Sequence, residues 1–139
     1  MPRQLVAALE RTEMDRIEIT LPWGPTLNTM YLNRKKGKGK GRILTEQARN
    51  WKLVATLIIK RSEGFSVGLF PKGTPVHVHY LFNEPDKRRR DADNLFKPIN
   101  DSLTNSKIIA DDRQIRGGSF EFGERVKRGS VTITIKKMA

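Results

Sequence analysis

The chain has no cysteine, which excludes disulfides, thiolate metal sites and a thiol nucleophile together. It also lacks any run approaching the ~20 apolar residues of a membrane span. Its N-terminus lacks the charged, apolar, then small-residue order of a secretory leader. A cytoplasmic protein with no membrane partner is expected. Histidine is scarce, His77 and His79 being the two present, so a bound metal would be held mainly by oxygen. That favours Mg²⁺, with Mn²⁺ as a substitute, over softer ions. Acid is in deficit as well: 15 Asp and Glu stand against 27 Lys and Arg, for a formal charge of +12. Such a balance points to a polyanionic partner. No amphipathic basic helix of the kind that rests on anionic lipid is evident.

What is present fits one domain, since 139 residues with 37% apolar content supply one modest core. Residues 1–14 carry a short helical pattern through Leu5, Val6, Ala8 and Leu9. From Arg16, Ile17, Ile19 and Leu21 alternate with Glu18 and Thr20 as in a half-buried strand, which Pro22-Trp23-Gly24-Pro25 ends. Residues 34–42 form a lysine-glycine run, read as a mobile basic loop in which Arg34, Lys35, Lys36, Lys38, Lys40 and Arg42 contact phosphates without reading sequence. Thr45 caps a helix that runs to about Lys60 with Ala48, Trp51, Val54, Ala55 and Ile58 at helical spacing. Val76, Val78, Tyr80 and Phe82 mark a second strand. A second helix starts at Asp93 or Asn94 as cap and carries Leu95, Ile99 and Leu103. Pro98 is tolerable there in the first turn. Strands around 114–122 and 130–136 follow. The expected fold is α+β: a single domain with a mixed β-sheet covered by two main helices.

Seven of the acids fall between Glu84 and Asp112: Glu84, Asp86, Asp91, Asp93, Asp101, Asp111 and Asp112. Carboxylates facing phosphates repel them, so this cluster in a basic chain needs a reason, and a shared Mg²⁺ supplies one. Asp91 and Asp93, two apart, project to one side of an extended segment. Asp111 or Asp112, after a helix that returns the chain, would add a third ligand. Lys97 lies one turn beyond Asp93, where its ammonium can stabilise charge building on a phosphoryl group. The plainer readings are that Lys97 pairs with Asp101, that Asp93 is a helix cap, and that Asp111-Asp112 is a turn.

The block Arg89-Arg90-Asp91-Ala92-Asp93-Asn94-Leu95-Phe96-Lys97, then Asp101-Ser102-Leu103 and Ile109-Ala110-Asp111-Asp112-Arg113-Gln114-Ile115, resembles the signature of RusA-type Holliday junction resolvases. Ile19-Thr20-Leu21-Pro22-Trp23-Gly24-Pro25-Thr26-Leu27-Asn28 resembles that family's opening strand and loop, with departures at Gly24 and Leu27. The likeness runs from residue 16 to 139 and leaves 1–15 as an N-terminal extension. It implies a homodimeric, Mg²⁺-dependent endonuclease of a bacterial or phage-infected cell, which nicks four-way DNA junctions in symmetric pairs. Carried over by position, Asp91, Asp93 and Asp112 are metal ligands and Lys97 is the catalytic lysine. Asp111 and Asp101 take supporting places. Thr26, Leu27, Asn28, Lys87, Arg88, Arg89 and Arg90 match DNA-contacting segments, and no small-molecule cofactor is implied. Two rivals remain open: a Mg²⁺ nuclease of forks or flaps, and a non-catalytic architectural DNA-binding protein. Trp23, Phe65, Phe70 and Phe96 are candidates either for stacking on unpaired bases or for the core, and His77 and His79 for packing on the sheet.

Overall fold

A computed structural model of the protein describes residues 15–25, 31–33 and 42–139. The expected helix over 1–14, nearly all of the 1–15 extension, Thr26–Asn28 and the basic run except Arg42 lie outside the described residues. The elements in chain order are β1 (Arg16–Pro22), β2 (Tyr31–Asn33), β3 (Arg42–Leu44), α1 (Glu46–Lys60), β4 (Val76–Asn83), α2 (Asp93–Asn105), β5 (Ile115–Phe122) and β6 (Ser130–Lys137). A one-turn 3₁₀ helix spans Asp112–Gln114 just before β5.

Alternation of apolar and polar residues builds the sheet as expected. In β1, β4 and β6 every second residue is buried, from Ile17, Ile19 and Leu21 to Val76, Val78, Tyr80 and Phe82 and to Val131, Ile133 and Ile135. Their neighbours face solvent or a half-open surface. The four strands are ordered β1-β6-β4-β5. The pairs β1–β6 and β6–β4 are antiparallel, whereas β4 and β5 are parallel. The sheet is therefore mixed, and α2 is the crossover of a βαβ unit. Both helices pack on the apolar face: Trp51, Ala55 and Ile59 of α1 and Leu95, Ile99 and Leu103 of α2 join the same core.

The cap at Thr45 is present, its hydroxyl accepting from the Ala48 amide at 3.2 Å. Within α1 the buried stripe differs from the expected one, because Ile59 is buried while Val54 is 47% exposed. Gly24 faces the ring of Trp51, where a Cβ would lie 2.7 Å from Cε2. Glycine at this position lets α1 approach the end of β1, and the Trp51 indole N–H donates to the Pro22 carbonyl at 3.1 Å. The short β2–β3 ribbon was not legible in the sequence; its second strand begins at Arg42, the last residue of the expected loop. In α2 the cap position is Ala92, with no side-chain cap bond, and Asp93 is the first helical residue. Pro98 is the sixth residue of α2, beyond the first turn, so it removes one interior backbone bond instead of an orphan donor. Its buried ring joins the packed side of the helix.

Candidate active site

The fold sorts the seven acids into two groups. Glu84 and Asp86 both hold Arg90, at 3.1 and 2.8 Å, and the Arg90 guanidinium also lies 5.1 Å from the centre of the Trp23 ring. Asp86 further accepts from the Arg88 amide at 3.0 Å. That backbone bond, followed by the Arg90 side chain, holds the Asp86 carboxyl below its ordinary range. Asp101 of α2 binds Lys52 of α1 at 2.7 Å and Lys97 at 3.3 Å. Asp111 takes both the side chain and the amide of Arg113, at 2.9 and 2.8 Å, and these hold it well below the usual carboxylate range. The remainder are Asp91, Asp93 and Asp112. All three are exposed and none forms an ion pair among the described residues.

Asp111-Asp112 is also a turn, built as a capping box. Asp111 caps the 3₁₀ helix while the Gln114 side-chain carbonyl accepts from the Ala110 and Asp111 amides at 2.7 and 3.1 Å. The Gln114 amide then donates to the carbonyls of Phe70, Pro71 and Thr74 at 3.1, 2.9 and 3.0 Å. Gln114 is thus the buried clamp that fixes where Asp112 stands. The D-x-x-Q spacing over 111–114 was the signal for it. Lys52 gave no such signal, since its partner Asp101 is distant in sequence and only the packing of α1 on α2 joins them. A cleft of about 270 Å³ is lined by Lys52, Asp101, Thr104, Asn105, Ala110, Asp111 and Asp112.

Asp91 and Asp93 lie at the start of α2, and Asp112 lies beyond its end. Because β4 and β5 are parallel, α2 must carry the chain back to the end of the sheet where β4 begins. The eight residues from Asp93 to Asp101 alone advance about 12 Å along the helix axis, and it is Asp101 that shares the cleft with Asp112. Among the described residues no three carboxylate or imidazole side chains gather around a common point. The donors are hard oxygens suited to Mg²⁺. Their placement within one chain does not surround a single ion with Asp91, Asp93 and Asp112. Asp93 is the first residue of α2 and not its cap, which is Ala92, and Lys97 does pair with Asp101.

Lys87, Arg88 and Arg89 are exposed on the loop between β4 and α2, while Arg90 is held inward by Glu84 and Asp86. Phe70 is buried and Trp23, Phe65 and Phe96 pack against the core. Among the described residues the exposed aromatics are instead Phe120 and Phe122 of β5. His79 bonds Ser119 and Glu121 across the open face of the sheet, at 2.6 and 3.0 Å, and His77 is half-buried there. No helix among the described residues is long and apolar enough to cross a membrane.

The family model described as endodeoxyribonuclease RusA matches residues 22–136. The crossover junction endodeoxyribonuclease RusA of Shigella sonnei (strain Ss046) is 33% identical over 125 residues, which is 90% of this chain and 98% of the relative. Proteins of that name from Escherichia coli (strain K12) and Enterobacteria phage 82 are 31% and 32% identical over the same shares. The family match takes in both helices, β2 to β5, all but the last residue of β6 and the whole acidic series, and on this ground the chain belongs to the endodeoxyribonuclease RusA family.

Proposed function

We propose that this protein is a Mg²⁺-dependent, structure-selective endodeoxyribonuclease that resolves four-way DNA junctions by paired symmetric nicks, working as a homodimer in the bacterial or phage-infected cytoplasm. The observation that carries this reading is the trio Asp91, Asp93 and Asp112. These carboxylates stand exposed and form no ion pair among the described residues, in a chain of charge +12 whose relatives are named crossover junction endodeoxyribonucleases. An exposed acid in a basic nucleic-acid binder is unfavourable unless a cation joins it to phosphate.

Asp91, Asp93 and Asp112 are the proposed metal ligands, and Mn²⁺ is expected to substitute for Mg²⁺. A bound ion would supply activation of water and stabilisation of the departing oxygen. The chain's own contribution is to aim charge. Lys97 sits one turn beyond Asp93, and Asp101 holds its ammonium at 3.3 Å while Lys52 anchors the other Asp101 oxygen at 2.7 Å. An ammonium fixed in this way stabilises negative charge on the attacked phosphate without having to reorganise. Lys87, Arg88 and Arg89 supply phosphate contacts that orient the DNA.

A homodimer accounts for two features together. Two-fold symmetry gives two equivalent sites for two opposed nicks. It also offers a second copy whose Asp112 can meet Asp91 and Asp93 of the first, which the length of α2 prevents within one chain. The rival readings separate on a panel of synthetic substrates. The protein should cut four-way junctions in preference to forks, flaps and duplex, and Asp93→Asn should bind the junction as well as the parent or better without cutting it. Equal cutting of forks would favour a different branched substrate, and unchanged cleavage by Asp93→Asn would remove the site assignment.

A further inference from the structure

At the carboxyl ends of the parallel strands β4 and β5, a cleft of about 380 Å³ opens between the end of β5 and the loop that leads to α2. Its size falls in the range of small-ligand pockets, and its place is where parallel βαβ units commonly bind ligands. The apolar part of its wall is Phe122, which is 40% exposed and backed by the ring of Phe82 at 5.5 Å. The polar part is cationic: Lys87, Arg88, Arg89 and Arg125 are all exposed, and none forms an ion pair among the described residues. The acid in the wall, Glu84, is neutralised by Arg90 at 3.1 Å. From Phe122 a row of rings continues through Phe120, itself 50% exposed, at 6.1 Å and on to Phe96 at 5.7 Å. Phe96 lies between Asp93 and Lys97 in the first turns of α2.

We infer that Phe122 and Phe120 form a platform for an unstacked nucleobase, with Lys87, Arg88, Arg89 and Arg125 holding the phosphates that flank it. This rests on the proposed function, because it supplies the means by which that site distinguishes a branch point from duplex. A base in an intact duplex has both faces covered, whereas at a branch point a base can leave the stack. An exposed phenyl ring ringed by cations suits such a base and offers an uncharged protein partner little. Bound there, the nucleotide lies at the end of the aromatic row that leads to Asp93 and Lys97.

The test uses the full-length protein with chelator present, four-way junctions carrying 2-aminopurine at or away from the branch point, and a duplex of the same sequence. Wild-type protein should change the fluorescence of the branch-point probe and leave the duplex probe unaltered. Phe122→Leu should abolish that change and weaken junction binding about tenfold, a typical loss for one stacked base. It should leave duplex binding as it was, and Phe122→Tyr should restore the junction. Equal fluorescence change in duplex and junction, equal weakening of both by Phe122→Leu, or a shift from dimer to monomer on that substitution would overturn the inference. The last outcome would make this face an interface between copies. If Phe122→Leu fails to fold, the wild-type probe comparison decides alone. Metal-dependent cutting of an unlabelled junction is scored in parallel: cutting without any branch-point signal defeats the platform but not the nuclease, and signal without cutting does the reverse.

Discussion

Gln114 shows how a single side chain can set the position of a reactive one. It makes five hydrogen bonds with backbone groups of Phe70, Pro71, Thr74, Ala110 and Asp111 while 6% exposed. Gln114→Ala strands several of these groups, at about 1–3 kcal/mol for each that water cannot reach. We expect a loss of at least about 2 kcal/mol in urea unfolding, with junction cleavage falling further than the unfolded fraction explains; an unchanged midpoint would show that the clamp is dispensable. Tyr80 gives a pH prediction. Burial pushes its phenol up to about 12 although the hydrogen bond to Asn100 pulls the other way. The folded state therefore keeps a proton that the unfolded chain releases near pH 10. This contribution to stability is complete below pH 10 and disappears as the pH climbs through about 12. Ultraviolet titration should find one of the two tyrosines ionising late, and two tyrosines ionising together near 10 would contradict the burial. At this scale the sequence was legible where chemistry is local. The D-x-D-N pattern and the downstream Asp-Asp stand out by spacing, and Lys97 with Asp101 is a one-turn pair. Lys52 was not legible, because its partner is supplied by helix packing.

At the scale of elements, the loop from Glu84 to Arg90 divides its charge between folding and binding. Arg90 is held by two carboxylates and the Trp23 ring, whereas Lys87, Arg88 and Arg89 point to solvent. Replacing those three with Gln should lower the magnitude of the slope of log binding constant against log salt by up to about 3, with the thermal midpoint little changed. A constant slope would make the loop a solvated surface. Arg90→Gln should instead lower stability first. Sequence alone treated the four bases alike, since a run of like charges carries no sign of which one folds inward. The same limit explains α2. Its apolar spacing placed the helix from its start near Asp93 through Leu103, two residues short of its end at Asn105, but the direction of β5 relative to β4 is set by sheet pairing, and that direction decides where Asp112 stands. The alternation in β1, β4 and β6 was readable because one face of each is buried. The β2–β3 ribbon of three-residue strands is too short to leave a period.

For the whole molecule, symmetry is the question that one chain raises and a second answers. Asp91 and Asp93 stand at one end of α2 and Asp112 at the other, and a two-fold assembly can unite them across copies. Mixing inactive Asp93→Asn and Asp112→Asn chains tests this, because a mixed dimer with shared sites carries one site with no substitution and recovers single nicking. Sites confined to one chain would each keep a substitution and stay inactive. The family likeness recognised in the sequence is what tied these residues to one chemistry, and the matched span of 22–136 now carries it. The central claim is put most directly by incubating a labelled mobile four-way junction with the protein, once with Mg²⁺ and once with chelator. Paired cuts at symmetric positions in opposed strands with Mg²⁺, and intact junction with chelator, are the predicted result; no cutting, or cutting that persists in chelator, would contradict the account.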